Sequence, residues 1–321
     1  MRHYRFIDVA TQGYVALVGL LVLIFHNETV PQWRWLVLGH LGLVGMIHLL
    51  ICEEATGRHG ALLRFVRHFY PIMLYVPIYN ETGHLNQMFA TGMLDPWFIR
   101  MEERLFGCQP SLLFMDKLPY LWVSEVFYVS YFSYYIMITG CGLALYRQDR
   151  RQFFHYITLV SVVFYACFLV YIFLPVVGPR IFYRDFGDFD LPAAVMPTTV
   201  PDFPAAVQKG PFFQIMALIY HHFETPGAAF PSSHVAVAVT TLYFSWRYIR
   251  GIRWAHAVVV VLLCLSTVYC RYHYAVDIPG GLVMAGMVIW AGNHLMRRWD
   301  GRVAEAVEVG QGEGKKVEKK L

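Results

Sequence analysis

Runs of about twenty apolar residues, separated by short arginine-bearing loops, constrain this 321-residue chain more than any other feature. A run of that length matches the hydrocarbon thickness of a bilayer. Inside lipid every backbone N–H and C=O must be paired within the protein, so each run is expected to be a helix. Hydrophobic residues make up 57% of the chain and charged residues 15%, and the apolar excess sits in the runs, which argues against a large soluble core. The net charge of +4 lies in inter-run loops and the tail, so it bears on topology and not on nucleic acid.

Taken along the chain, the apolar pattern predicts spans from about Val9 to Phe25 and from about Trp35 to Cys52. The basic start around Arg2 and Arg5 precedes a run without a small-residue cleavage site, so this first run is expected to be a retained span. A third segment, from about Ala61 to Tyr79, is crowded by Arg64, Arg67 and His68 and interrupted by Pro71 and Pro77. It reads as a crossing or as an interfacial or re-entrant helix. Glu81 to Pro119 is mixed in character, with Leu94-Asp95-Pro96 and an amphipathic stretch through Glu103 and Leu105, and is expected to form a surface helix and loop. Spans follow at about Leu121–Tyr146 and Phe154–Pro175. Val176 to Thr225 is a Pro- and Gly-rich loop with a short membrane-surface helix from Pro211 to His222. The last spans are predicted at about Ala229–Tyr248, Ile252–Tyr272 and Ile278–Met296. The Gly/Lys/Glu-rich tail, 301–321, is expected to be disordered. The six cysteines, with no CxxC pair, carry no metal or disulfide signature.

These boundaries define an all-α integral membrane protein of about eight spans. They divide it into N-terminal spans and a surface loop (1–153), a catalytic membrane core (154–300) and a polar cytoplasmic tail (301–321). Arg2 and Arg5; Arg58, Arg64 and Arg67; Arg147, Arg150 and Arg151; Arg247, Arg250 and Arg253; and Arg297 and Arg298 all fall on one side of it. The positive-inside rule makes that side, with both termini, cytoplasmic. Arg180, Ser233, His234, Arg271, His273 and Asp277 then fall together on the outer side.

Polar residues so placed call for a function. Phe230-Pro-Ser-Ser-His234 stands where a helix begins, with Ser as a cap and Pro in the entry turn. The backbone N–H groups of such a terminus suit a phosphate, which Ser232 and Ser233 would help hold. His234, in that first turn, is the candidate general acid; the plainer alternative is a capped start whose histidine bonds a loop carbonyl. His273 and Asp277 are four apart. Either they share a helix face, or Asp277 caps the helix opened by Pro279 and meets the ring across the turn. In both cases the carboxylate fixes one ring nitrogen and leaves the other to attack, which makes His273 the candidate nucleophile. Arg180 and Arg271 are candidate phosphate clamps, with interfacial anchoring as the alternative.

These residues resemble the type 2 phosphatidic acid phosphatase superfamily. Its middle motif, Pro-Ser-Gly-His, appears as Pro231-Ser232-Ser233-His234. Its last motif, Ser-Arg-x5-His-x3-Asp, is matched by Ser266, His273 and Asp277, with Thr267 in the place of the arginine and Arg271 nearby. The first motif, Lys-x6-Arg-Pro, has no match, and Gly178-Pro179-Arg180 occupies its place. His273-Tyr274-Ala275-Val276-Asp277 is similar to the inositol-phosphorylceramide synthase and sphingomyelin synthase branch, whose members move a headgroup between lipids. Over about 154–299 the resemblance implies a six-helix membrane bundle and a phospholipid or lipid phosphate substrate. It also implies a phosphohistidine on His273, His234 as acid and then base, and neither metal nor cofactor. Two other classes compete: a lipid transporter, which would place its polar groups at mid-membrane in related halves, and a metalloenzyme using His221, His222, His234 and His273, whose spacing suggests no ligand set. Glu125, His40 and His48 read as helix–helix bonds.

Overall fold

The computed structural model describes residues 3–57, 60–185, 203–223 and 225–318, the last seventeen of these for backbone only. The middle of the expected long loop, 186–202, thus lies outside the described residues. Among the described residues fourteen helices run in order: α1 (Phe6–Phe25), α2 (Trp33–Ala55), α3 (Ala61–Met73), α4 (Tyr75–Leu85), α5 (Asp95–Phe106), α6 (Pro110–Lys117) and α7 (Leu121–Gln148). They continue with α8 (Arg150–Phe173), α9 (Pro179–Asp185), α10 (Ala205–Gln208), α11 (Pro211–Phe223), α12 (Ser233–Tyr248), α13 (Arg253–Tyr269) and α14 (Asp277–Glu318). Among the described residues the one extended pairing is an isolated bridge between Val176 and Ala228.

Among the described residues, five helices are long and apolar enough to cross a membrane: α1, α2, α7, α8 and the Asp277–Gly301 part of α14. The chain is a multi-pass membrane protein. Of the five, α8 is the most enclosed, and it packs against α1, α4, α7, α12 and α14. Its inward side is a run of large residues, among them Tyr156, Val160, Phe164, Phe168 and Tyr171, so α8 is the central post of the bundle.

The segment Ala61–Tyr79 resolves into α3 and α4, which meet at Leu74 three residues after Pro71. With 13 and 11 residues they reach about 20 and 17 Å, short of the roughly 30 Å of a hydrocarbon core. Proline is the cause, since its ring blocks the helix hydrogen bond and crowds the preceding turn. The helix α3 is held by Arg67, whose guanidinium takes both oxygens of Asp8 at 2.7 and 2.8 Å and Glu54 at 2.8 Å. At the other end of the chain, α14 continues through Glu318, past residue 301 where a disordered tail is expected. The stretch Ala304-Glu-Ala-Val-Glu308 consists mostly of good helix formers, and the preceding span supplies a finished nucleus.

The region 81–119 holds the end of α4, a loop and two helices, α5 and α6, where one surface helix and a loop are expected. The start of α5 follows its sequence, with Asp95 then Pro96 in the first turn. Asp95, Phe98, Ile99 and Glu102 repeat at i, i+3, i+4 and i+7 and are all buried, so one face of this helix is inserted beneath the loops at the end of the bundle.

Candidate active site

Four loops meet at the end of the bundle where α8 stops and α12 and α14 begin, and backbone hydrogen bonds join them. Leu94 N–H donates to Pro175 O at 2.8 Å, Ala229 N–H to Val176 O at 2.8 Å, Arg180 N–H to Arg271 O at 2.8 Å and Ser232 N–H to Asp277 O at 3.3 Å. The close approach depends on glycine. Gly178, at φ +87°, lies so near that an added Cβ would meet Tyr272 O at 2.5 Å. At Gly281 an added Cβ would meet Ser232 O at 2.6 Å. A side chain at either position would push apart the segments that carry the candidate residues.

His273 is enclosed by this frame and 4% exposed. The helix α13 ends at Tyr269, and the N–H groups of Tyr272 and His273 both return to Thr267 O, at 3.1 and 3.0 Å. Arg271 takes the left-handed conformation, φ +62°, within this reversal. For a non-glycine residue that costs about 1–2 kcal/mol. The Nδ1 of His273 lies 3.1 Å from Asp277 Oδ2 and 3.0 Å from Ala229 O. Both partners are acceptors, so the proton belongs on Nδ1 and the lone pair on Nε2. That Nε2 lies 3.2 Å from Ser232 Oγ, which donates to it while accepting the Val235 N–H at 3.4 Å as the cap of α12. Asp277 opens α14 and also accepts from Tyr274 N–H at 3.0 Å. Of the two geometries open in the sequence, the contact across the turn is the one formed.

The ring of His234, in the first turn of α12, has its centroid 5.6 Å from that of His273. Its Nε2 is 3.0 Å from the hydroxyl of Tyr131 on α7, which is in turn hydrogen-bonded to the Tyr220 hydroxyl on α11. Its Nδ1 has no hydrogen-bond partner among the described residues. Ser233 turns its N–H to the hydroxyl of Tyr171, 3.2 Å away, and that hydroxyl donates to Pro231 O at 2.9 Å. The central helix α8 thereby fixes the serine loop.

The two arginines differ. Arg180 lays its guanidinium over Tyr220 and Tyr272, at 4.7 and 5.3 Å, and these rings stack on each other at 4.2 Å. Tyr220 leads through Tyr131 to His234, so two successive aromatic rings stand between Arg180 and that histidine. Arg271 points to α6, where it meets Asp116 Oδ1 at 2.9 Å, and lies 5.1 Å over the Phe203 ring. Burial lowers its pKa, and Asp116 offsets part of that.

Asp95, Glu102, Asp116, Tyr131 and Tyr220 escape a reading of the sequence. Asp95 accepts from Val177 N–H and Gly178 N–H, each at 2.9 Å, and from the Tyr274 hydroxyl at 2.9 Å. One carboxylate thus ties the arginine loop to the histidine loop. Glu102 accepts the Ala275 N–H, and its second oxygen has no partner among the described residues. Desolvation pushes Asp95 up to about 6 and Glu102 up to about 7, with nearby Asp277 adding to both and backbone N–H groups opposing. The available signal was the apolar-acidic period of α5 and its Asp-Pro start; Tyr131 and Tyr220 offered none among 21 tyrosines.

Among the other polar residues, Glu125 accepts Phe212 N–H at 3.1 Å and tethers α11 to α7. His40 meets Glu81 at 3.4 Å and His48 meets the Tyr4 hydroxyl at 2.6 Å, so each bridges two segments. His221 and His222 are exposed on α11, and no cluster of metal-ligating side chains forms among the described residues.

Fold and site together define a polytopic helical membrane protein whose buried, carboxylate-oriented histidine faces a second histidine and a helix N-terminus. The PAP2 superfamily model matches residues 96–291, more than half of the chain, and the chain belongs to that superfamily. Its members are phosphatases or phosphotransferases, and this chain is an enzyme of that kind. The matched segment begins at 96, so it takes in α5, α6 and α7. No curated protein and no solved structure matches the chain.

Proposed function

We propose that the protein cleaves or transfers a phosphoester of a lipid through a phosphohistidine on His273. The observation that carries this reading is the hydrogen bonding of the His273 ring, whose Nδ1 lies between two acceptors. Nδ1 is committed to Asp277 and Ala229 O, while Nε2 presents its lone pair beside Ser232 at the N-terminus of α12. In the first step Nε2 attacks phosphorus and the bond from phosphorus to the leaving oxygen breaks. His234 gives that oxygen a proton; with its Nε2 on Tyr131, the Nδ1 side is left to serve the substrate. In the second step His234 takes a proton from the acceptor, whose oxygen attacks phosphorus and releases Nε2. Ser232, Ser233 and the first turn of α12 hold the phosphoryl oxygens, and Arg180 supplies positive charge as it develops. Arg271, turned to Asp116, acts as a clamp only after exchanging that partner for phosphate.

An alcohol acceptor, giving headgroup transfer, is the second reading. It is favoured by the aromatic enclosure of His234, with Tyr131 and Tyr134 at 4.8 and 4.5 Å, which restricts water and suits a lipid alcohol. The histidine-tyrosine motif at 273–277 supports the same branch.

Eight crossings, the third made by α3 and α4 in tandem, a six-helix core and an outward-facing site complete the proposal. The helices α12 and α13, of 16 and 17 residues, reach about 24 and 26 Å. Each crosses when its apolar flanks are included. The arginine-rich ends, with both termini, then lie in the cytoplasm. Thr91→Cys should react with an impermeant maleimide in intact cells and Gly251→Cys only after permeabilisation; the reverse pattern would refute the orientation.

The chemistry is tested on purified wild type, His273→Ala and His234→Ala with a panel of lipid phosphates and phospholipids, chelator present, acceptor lipid added or omitted. Phosphate release without acceptor indicates hydrolysis, and diacylglycerol release that needs an added alcohol indicates transfer. Undiminished turnover in His273→Ala would remove this mechanism.

A further inference from the structure

The arginines that the positive-inside rule accounts for singly converge in space. At the end of the bundle opposite the histidines, the starts of α1 and α8 and the later parts of α12 and α14 enclose a cavity of about 700 Å³. Arg5, Arg151, Arg247 and Arg297 line it, with His155 and Asn293 between them. Asp149 and Asp300 are the acidic residues on its wall, so the lining keeps a surplus of two positive charges. Asp149 is partly engaged, accepting Arg151 N–H at 2.8 Å as the cap of α8, and Asp300 stands 3.8 Å from Arg151.

The guanidinium groups retain donors. Arg247 gives one hydrogen bond to Tyr243 and Arg297 one to the Asn293 carbonyl. Arg5 binds Glu54 through Nη2, while its buried Nη1 has no partner among the described residues. Scattered interfacial arginines would point apart into headgroups; these four share one concave volume, beside the first turn of a 24-residue helix whose N–H groups add to the field.

We infer that this cavity is a second anion site, which takes a phosphate group carried on an anionic lipid headgroup or on a soluble phosphate. Planar guanidinium groups match phosphate oxygens in pairs, and basic clefts between helices at a membrane surface suit such headgroups. The site lies about 25–35 Å from His273 along α8, α12 and α14, at 1.5 Å per residue. It is independent of the chemistry proposed above.

The test measures binding to the purified full chain in neutral detergent, by native mass spectrometry, with short-chain phosphatidylinositol 4-phosphate, phosphatidylcholine and inorganic phosphate. Wild type and His273→Ala should hold the anionic lipid in preference to phosphatidylcholine. Arg247→Gln with Arg297→Gln should weaken it about thirtyfold, at about fivefold per arginine. The pair Arg250→Gln with Arg253→Gln removes equal charge from the same region outside this cavity, and should change binding less than about threefold. Competition by millimolar inorganic phosphate supports the site with a soluble source, and its failure supports the site with a lipid source. Equal losses in both double variants, or no preference for anion over phosphatidylcholine, would overturn the proposal. His273→Ala alone losing binding would place the anion at the histidines and overturn it as well.

Discussion

Two buried polar clusters occupy this bundle, and they are built on opposite principles. In the first, Arg67 is shared between Asp8 and Glu54, Tyr70 adds a hydroxyl to Asp8 at 2.7 Å, and Arg5 adds a second cation to Glu54 at 2.7 Å. Every oxygen of Asp8 and Glu54 is taken, and the cluster ties α1, α2 and α3 together. In the second, His273, Asp277 and Glu102 are buried and His234 is part-buried, yet His234 Nδ1, Asp277 Oδ1 and Glu102 Oε2 have no partners among the described residues. Buried polar atoms left unpaired cost about 1–3 kcal/mol each. A cluster that only held helices together pairs its carboxylates, as the first does, leaving there only Arg5 Nη1 without a partner among the described residues. The difference separates a structural knot from a site that awaits a ligand, although both contain ionisable residues inside an apolar bundle.

Exchanging the defects of the two clusters should give the largest effects. Arg67→Met strands the buried Asp8 carboxylate, leaves Glu54 to Arg5 alone, and should cost about 3–5 kcal/mol of stability, read as a lower unfolding midpoint in detergent, with turnover per folded molecule retained. His234→Ala should do the reverse, with turnover down about 10²–10⁴-fold and the midpoint little changed. Loss of turnover per folded Arg67→Met protein would mean that the clusters are not separable.

Gly178→Ala should come next. Its left-handed backbone and the contact with Tyr272 O leave no room for a methyl group, and a displacement near 1 Å of Arg180 should cost about 10²-fold in turnover. Unaltered turnover would detach the Gly178-Pro179-Arg180 loop from the site. Tyr131→Phe is milder. It removes the hydroxyl on His234 Nε2 but keeps the ring, and should lower kcat roughly tenfold and move the basic limb of the pH profile while leaving KM in place. A KM change alone would make Tyr131 a substrate contact.

The outline of the second cluster was legible in the chain because its central residues are local. Pro231 to His234 and His273 to Asp277 sit at helix starts that capping and proline chemistry mark, and helix ends of one polarity fall at one level. What supports them was not legible. Asp95 lies 82 residues before Val177 and Tyr131 lies 103 before His234, and no periodicity links positions so far apart. The α3–α4 break followed from Pro71 and Pro77, but where α3 is held depended on Arg67 finding Asp8, 59 residues away, and Glu54. The family match, which begins at 96, is consistent with α5 being integral to the site end.

The smallest effect concerns α5. Glu102 is held up at about 7 by burial, with Asp277 adding to it. A raised carboxyl means that the folded protein binds a proton that the unfolded chain has released. Stability from this group is therefore full below the ordinary carboxylate range and falls as pH rises from about 4.5 to about 7, by at most about 1.4 kcal/mol per unit. Glu102→Gln, which can still accept the Ala275 N–H, should flatten that slope. An unchanged slope would assign it to other groups.

The most direct measurement is isolation of the covalent enzyme. Brief reaction with substrate labelled at phosphorus, followed by alkaline quench and peptide mapping, should place a base-stable, acid-labile phosphoryl group on His273. It should be absent in His273→Ala, and its decay should slow in His234→Ala, which lacks the base for the second step. Label on any other residue, or turnover by His273→Ala without label, would contradict the assignment of His273 as nucleophile.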